Sequence, residues 1–96
     1  EDNWDEGVIE NYKLSQNYPN PFNPATTIAY QIPQAGNVEI SLYDILGREI
    51  ETLVDEYKSE GKYEIIFNGS GLTSGVYIYQ IKSGDFTASK KLILMK

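Results

Sequence analysis

Thr26-Thr27-Ile28-Ala29-Tyr30-Gln31-Ile32 and Asn37-Val38-Glu39-Ile40-Ser41-Leu42, separated by a Pro- and Gly-containing break, alternate apolar and polar residues with a period of two. Successive side chains of an extended chain point to opposite sides, so this period sets Ile28, Tyr30 and Ile32 on one face and Val38, Ile40 and Leu42 on another. The alternation returns at Tyr63, Ile65 and Phe67. These nine residues are the expected inner faces of a β-structure. Working outward, strands are predicted near 12–17, 26–32, 37–44, 48–54, 62–68, 76–83 and 85–95, and no stretch carries a helical period. In the last strand Phe86, Ala88, Leu92 and Leu94 share one parity, while Thr87, Ser89, Lys91, Ile93 and Met95 share the other. Its end is therefore apolar on both faces.

The breaks between strands have turn chemistry. Asp44-Ile45-Leu46-Gly47 suits a tight turn with Gly47 at the position needing positive φ, and Ser83-Gly84-Asp85 suits a short hairpin connection. Seven short antiparallel strands in 96 residues predict an all-β fold, an immunoglobulin-like antiparallel β-sandwich of about seven strands. The disulfide and buried strand-C Trp of antibody domains are absent from it.

Composition narrows the function classes. A chain of 96 residues that is 41% apolar, with eight Tyr, three Phe and one Trp, has the material for one core and not for two. It contains no Cys and no His, which removes disulfides, thiolate metal sites and His-dependent catalysis. No apolar run approaches the roughly 20 residues of a transmembrane helix. The net charge is −6, yet five acids (Glu1, Asp2, Asp5, Glu6, Glu10) fall in the first ten residues, and from Asn11 onward eight bases face nine acids. A nearly neutral body gives no nucleic-acid footprint. Residues 1–11 read as an acidic linker from a preceding domain, with Trp4, Val8 and Ile9 as docking contacts, and residues 12–96 as the folded module. The acidic start is unlike an export signal, which is expected elsewhere on a longer parent.

Two segments stand out as candidate sites. In Tyr18-Pro19-Asn20-Pro21-Phe22-Asn23-Pro24 three prolines fix φ and push Tyr18, Asn20 and Asn23 towards extended geometry. Either this is a rigid corner with Phe22 tucked into the core, or it is a preorganised recognition epitope. Lys90-Lys91-Leu92-Ile93-Leu94-Met95-Lys96 is either a closing strand whose lysines face solvent or a basic terminus that a receptor reads. Asn68-Gly69-Ser70 fits a glycosylation acceptor and equally a turn between strands. Glu39, Glu49, Glu51 and Asp55 lack the closely spaced oxygen ligands of a calcium loop, so no metal or other cofactor is expected.

At these segments the chain resembles the type A C-terminal sorting domains of the type IX (Por) secretion system of Bacteroidetes and related bacteria. The resemblance is carried by Leu14 to Pro24, Thr26-Thr27-Ile28, Leu42 to Glu49, Gly61-Lys62-Tyr63, Leu72 to Tyr77 and the closing Lys90–Lys96 run. That family is in turn similar to the immunoglobulin-type domain of a flagellar hook-capping protein. The resemblance implies an address, not an enzyme. A cargo N-terminal to residue 1 would cross the periplasm folded, reach an outer-membrane translocon and its shuttle protein, and be freed at the cell surface by a sortase. The sorting motif it implies comprises Tyr18, Pro19, Asn20, Pro21, Phe22, Asn23, Pro24, Gly47, Gly75, Tyr77, Lys90, Lys91 and Lys96.

From other classes, an accessory carbohydrate-binding module of a secreted glycosidase would require coplanar exposed aromatics, for which Tyr43, Tyr77 and Tyr79 are the candidates. A structural spacer requires only the fold, and the terminal run ending at Lys96 argues against it. An enzyme is disfavoured, since no convergent set of carboxylates or hydroxyls is visible.

Overall fold

A computed structural model of the chain describes residues 9–96. Its strands are β1 (Lys13–Leu14), β2 (Ala25–Ile32), β3 (Gly36–Asp44), β4 (Glu49–Lys58), β5 (Gly61–Asn68), β6 (Gly75–Ser83) and β7 (Phe86–Leu94). They form two antiparallel sheets, β1-β2-β5 and β4-β3-β6-β7. The β-sandwich expected from alternation is the fold of the chain, and no helix among the described residues is long and apolar enough to cross a membrane. Trp4 and Val8, along with the acids at positions 1, 2, 5 and 6, lie outside the described residues.

Two hairpin turns keep successive strands in the four-stranded sheet. β3 and β4 are joined by the Asp44–Gly47 turn, where Gly47 has φ +87° and donates its N–H to the Asp44 carbonyl. This turn reverses the chain within the sheet, so β4 pairs antiparallel with β3. β6 and β7 are likewise joined by a hairpin within the sheet. Their loop is Gly84-Asp85, flanked by the paired Ser83 and Phe86, and only Gly84 in it has positive φ (+58°), which matches a type II′ turn. The chain changes sheets after β2, after β4 and after β5, through connections of three, two and six residues, so the direction each connection takes and not its length sets the division.

The inner faces meet as the period-two reading requires. Ile28, Ile32, Val38, Ile40 and Leu42 are fully buried, and Tyr30 and Phe67 nearly so. Tyr63 and Ile65 are only half-buried because β5 is the outer strand of its sheet. Tyr79, Ile81 and Leu92 fill the opposite layer. Two elements depart from the expected bounds. β4 runs to Lys58 rather than to residue 54, since its far half is an exposed edge where no buried face imposes alternation. β1 is two residues long because its ladder with β2 is interrupted after Leu14, to resume at the Tyr18–Thr27 bridge.

Candidate functional site

The interruption after β1 is built around Asn17, which is 2% exposed. Its amide nitrogen donates to Thr26 Oγ1 at 3.0 Å and to the Pro19 carbonyl at 3.2 Å. Thr26 Oγ1 donates to the same carbonyl at 2.9 Å. A buried polar side chain satisfied in this way fixes where the chain leaves the sheet. Tyr79, fully buried on β6, ties the same segment down by donating its hydroxyl to the Ser15 carbonyl. Burial pushes that phenol up to about 12, against an opposing contribution from the Asn17 backbone.

From this anchor the Pro-rich run crosses to the other sheet and lies along the outer edge of β7. Phe22 N–H donates to the Ile93 carbonyl at 2.9 Å, and Met95 N–H donates to the Phe22 carbonyl at 3.0 Å. These bonds make a parallel bridge between Phe22 and Leu94. Asn20 Oδ1 accepts from Ile93 N–H at 2.9 Å, and Gln16 Nε2 donates to the Lys91 carbonyl at 2.6 Å. An edge strand with its polar groups occupied no longer templates another strand. The Phe22 ring, 2% exposed, packs edge-on against Phe67 with centroids 6.1 Å apart. Tyr18, Pro19, Asn20, Pro21, Asn23 and Pro24 face solvent, Tyr18 being 80% exposed. The two readings of the run therefore apply to different residues of it: Phe22 forms the rigid corner, and the others line an exposed, preorganised ridge.

The remaining motif residues divide by position. Gly75 pairs with Leu94, and Tyr77 is buried with its hydroxyl donating to the Thr73 carbonyl at 2.6 Å, so both sit beside the end of β7. Lys96 is there too, its backbone N–H on Ser74 Oγ and its ammonium on the Ser70 carbonyl, at 2.9 and 2.8 Å. Gly47 belongs to the β3–β4 turn. That turn is held by Asp44, whose carboxylate accepts from the Leu46 and Arg48 amides and from Arg48 Nε. The Arg48 backbone bond foremost, together with those from its side chain and from Leu46, lowers the Asp44 pKa against a smaller opposing effect of desolvation.

Two expectations need correction. The lysines of the closing run do not all face solvent as one cluster. Lys90 lies opposite the buried Tyr79 and is half-buried, while Lys91 lies opposite Ile78 and is exposed. Neighbours on a strand point to opposite faces. The aromatic platform for sugars is also not formed, because Tyr77 and Tyr79 are core residues at 7% and 0% exposure and Tyr43 has the opposite parity on β3.

Sequence reasoning missed Asn17, the Asn20 bond to Ile93, and Gly69. A Cβ at Gly69 would meet Phe22 Cε2 and Leu94 Cδ2 at 3.3 Å, which makes it the contact point between corner and terminal strand. Its neighbours form a turn, with Asn68 Oδ1 accepting from Ser70 N–H at 2.8 Å. None of these roles is written in local pattern, since Asn20 and Gly69 meet partners far along the chain and the Asn17 bonds depend on how the Pro-rich run folds back on Thr26.

Compared with known proteins, residues 16–95 match the model of a family described as the secretion system C-terminal sorting domain. No curated protein and no solved structure matches the chain.

Proposed function

Because the chain belongs to the family of secretion system C-terminal sorting domains, and so carries a type IX sorting signal, we propose that its folded surface is what the export machinery reads. The reading surface is the Pro-rich ridge together with the end of β7. An outer-membrane translocon and its shuttle protein bind it while a cargo N-terminal to residue 1 is carried to the cell surface or the medium. A surface sortase then removes the domain at a point within residues 1–11 or upstream of them.

The observation that carries this reading is the Phe22–Leu94 bridge, with the two Ile93 bonds to Phe22 and Asn20. A receptor that recognised the terminus as a free extended strand would need its edge groups unpaired. Here they are occupied, so the terminus is presented as part of a rigid face, and docking loses little conformational entropy.

The test is a reporter carrying this chain at its C-terminus, expressed in a bacterium with an intact type IX system and in a translocon-deficient sister strain. Surface or medium reporter is expected only in the first. Replacing Lys90, Lys91 and Lys96 with Ala is expected to leave the far-ultraviolet spectrum unchanged and to strand the reporter in the periplasm. Undiminished export of that variant would remove the lysines from the docking surface, and retention in both strains with the parent chain would overturn the sorting role.

A further inference from the structure

The outer face of the four-stranded sheet is divided. Towards the Gly84 hairpin it carries Glu39, Gln80, Lys82, Thr87 and Ser89, as a face that meets only water should. Towards the other end it carries Tyr43, Val76, Ile78, Ile93 and Met95, of which Val76 and Met95 are 38% and 58% exposed. The core makes no use of this apolar half. Apolar surface that is exposed at Val76 and Met95 and half-buried at Tyr43, Ile78 and Ile93 is a place for a partner to dock.

The register says what covers it. Tyr43 pairs with Glu49 on one side and with Ile78 on the other, and Ile78 pairs with Lys91. One row thus crosses all four strands in the order acid, aromatic, aliphatic, base. A register shift between Leu42 and Tyr43 brings Glu49 opposite Tyr43. Thr52 Oγ1, donating to Glu49 Oε2 at 2.9 Å, holds that carboxylate beside the outer face.

We propose that this half-face binds a second copy of the chain, with the two-fold axis parallel to the strands. Rotation about such an axis reverses the strand order of the facing sheet. Glu49 then meets Lys91 of the second copy, Tyr43 meets Ile78, and the same contacts recur on the other side of the axis. The row is its own complement. A partner surface of uniform charge would oppose either Glu49 or Lys91, whereas a second copy satisfies both while covering Tyr43, Val76, Ile78 and Ile93.

Sedimentation equilibrium of the 96-residue chain, from micromolar to millimolar concentration, tests the assignment. A monomer–dimer equilibrium is expected, weakened by added salt. Lys91→Glu and Glu49→Lys should each raise the dissociation constant about tenfold, because each sets like charges against one another at two symmetric contacts. The double exchange K91E/E49K should return it close to the parent value. Val76→Glu, which charges the centre of the apolar half, should abolish the dimer with the circular dichroism spectrum intact. A monomer at every concentration overturns the proposal, and so does a dimer indifferent to both reversals or one that the double exchange fails to restore. Export of a Glu49→Lys fusion is expected to be normal, because Glu49 lies outside the sorting surface to which Lys91 belongs.

Discussion

Phe22 and Tyr18 are the two aromatics of one Pro-rich run, and they have opposite fates. Tyr18 exchanges both backbone bonds with Thr27 and turns its ring outward, while Phe22, four residues on, enters the core between Phe67 and Leu94. Removing the Phe22 ring leaves a void that its neighbours fill only in part. Phe22→Ala is therefore expected to lower the unfolding free energy by about 3 to 5 kcal/mol in urea titration. A loss under about 1 kcal/mol would mean that the corner is not part of the core. The burial of Phe22 was legible from the run, where stiff backbone surrounds a large apolar ring. The exposure of Tyr18 was not, because it depends on the register with Thr27. The same holds for Lys90 and Lys91, which look like one feature in the sequence and lie on opposite faces of β7.

Among the elements, β7 differs most from its appearance in the sequence. It reads as a free closing strand, yet its outer edge is occupied over Ile93–Met95 by a segment about seventy residues earlier. Asn20→Ala removes the side-chain acceptor of Ile93 N–H and is expected to cost about 1 kcal/mol. Amide hydrogen exchange should localise the effect: faster at Ile93, unchanged at Leu92 and on β2. Equal acceleration along the whole of β7 would show that Asn20 does not secure the edge locally. The other strands were placed well by alternation wherever both faces differ in environment, as in β2 and β3. β1 and the far half of β4 escaped it, for one is interrupted around a buried Asn17 and the other has no buried face.

For the whole molecule, the two sheets are linked by Tyr79 of one reaching Ser15 beside the other. The Tyr79 phenol is raised from 10.0 to about 12, and burial raises Tyr30 in the same direction. A phenol whose folded pKa exceeds its unfolded value favours the fold while neutral. Its contribution is thus complete below pH 10 and is lost as pH rises towards 12. For Tyr79 the loss is on the order of 2 to 3 kcal/mol. Thermal unfolding followed across that range should show a falling midpoint, and Tyr79→Phe should flatten the fall while lowering stability at neutral pH through loss of the Ser15 bond. A midpoint insensitive to alkali in the parent chain would contradict the buried neutral phenol.

The sequence by itself determined the all-β class, the nine inner-face positions, the two tight turns and the family, because each is encoded locally: alternation by strand geometry, turns by glycine at positive φ, kinship by ordered motifs. Tertiary structure alone decided which strands share a sheet, that the Pro-rich run seals β7, that Tyr77 and Tyr79 are core rather than platform, and that Glu49, Tyr43, Ile78 and Lys91 form one row. Those are relations between residues far apart in the chain, and only the register of paired strands brings them together.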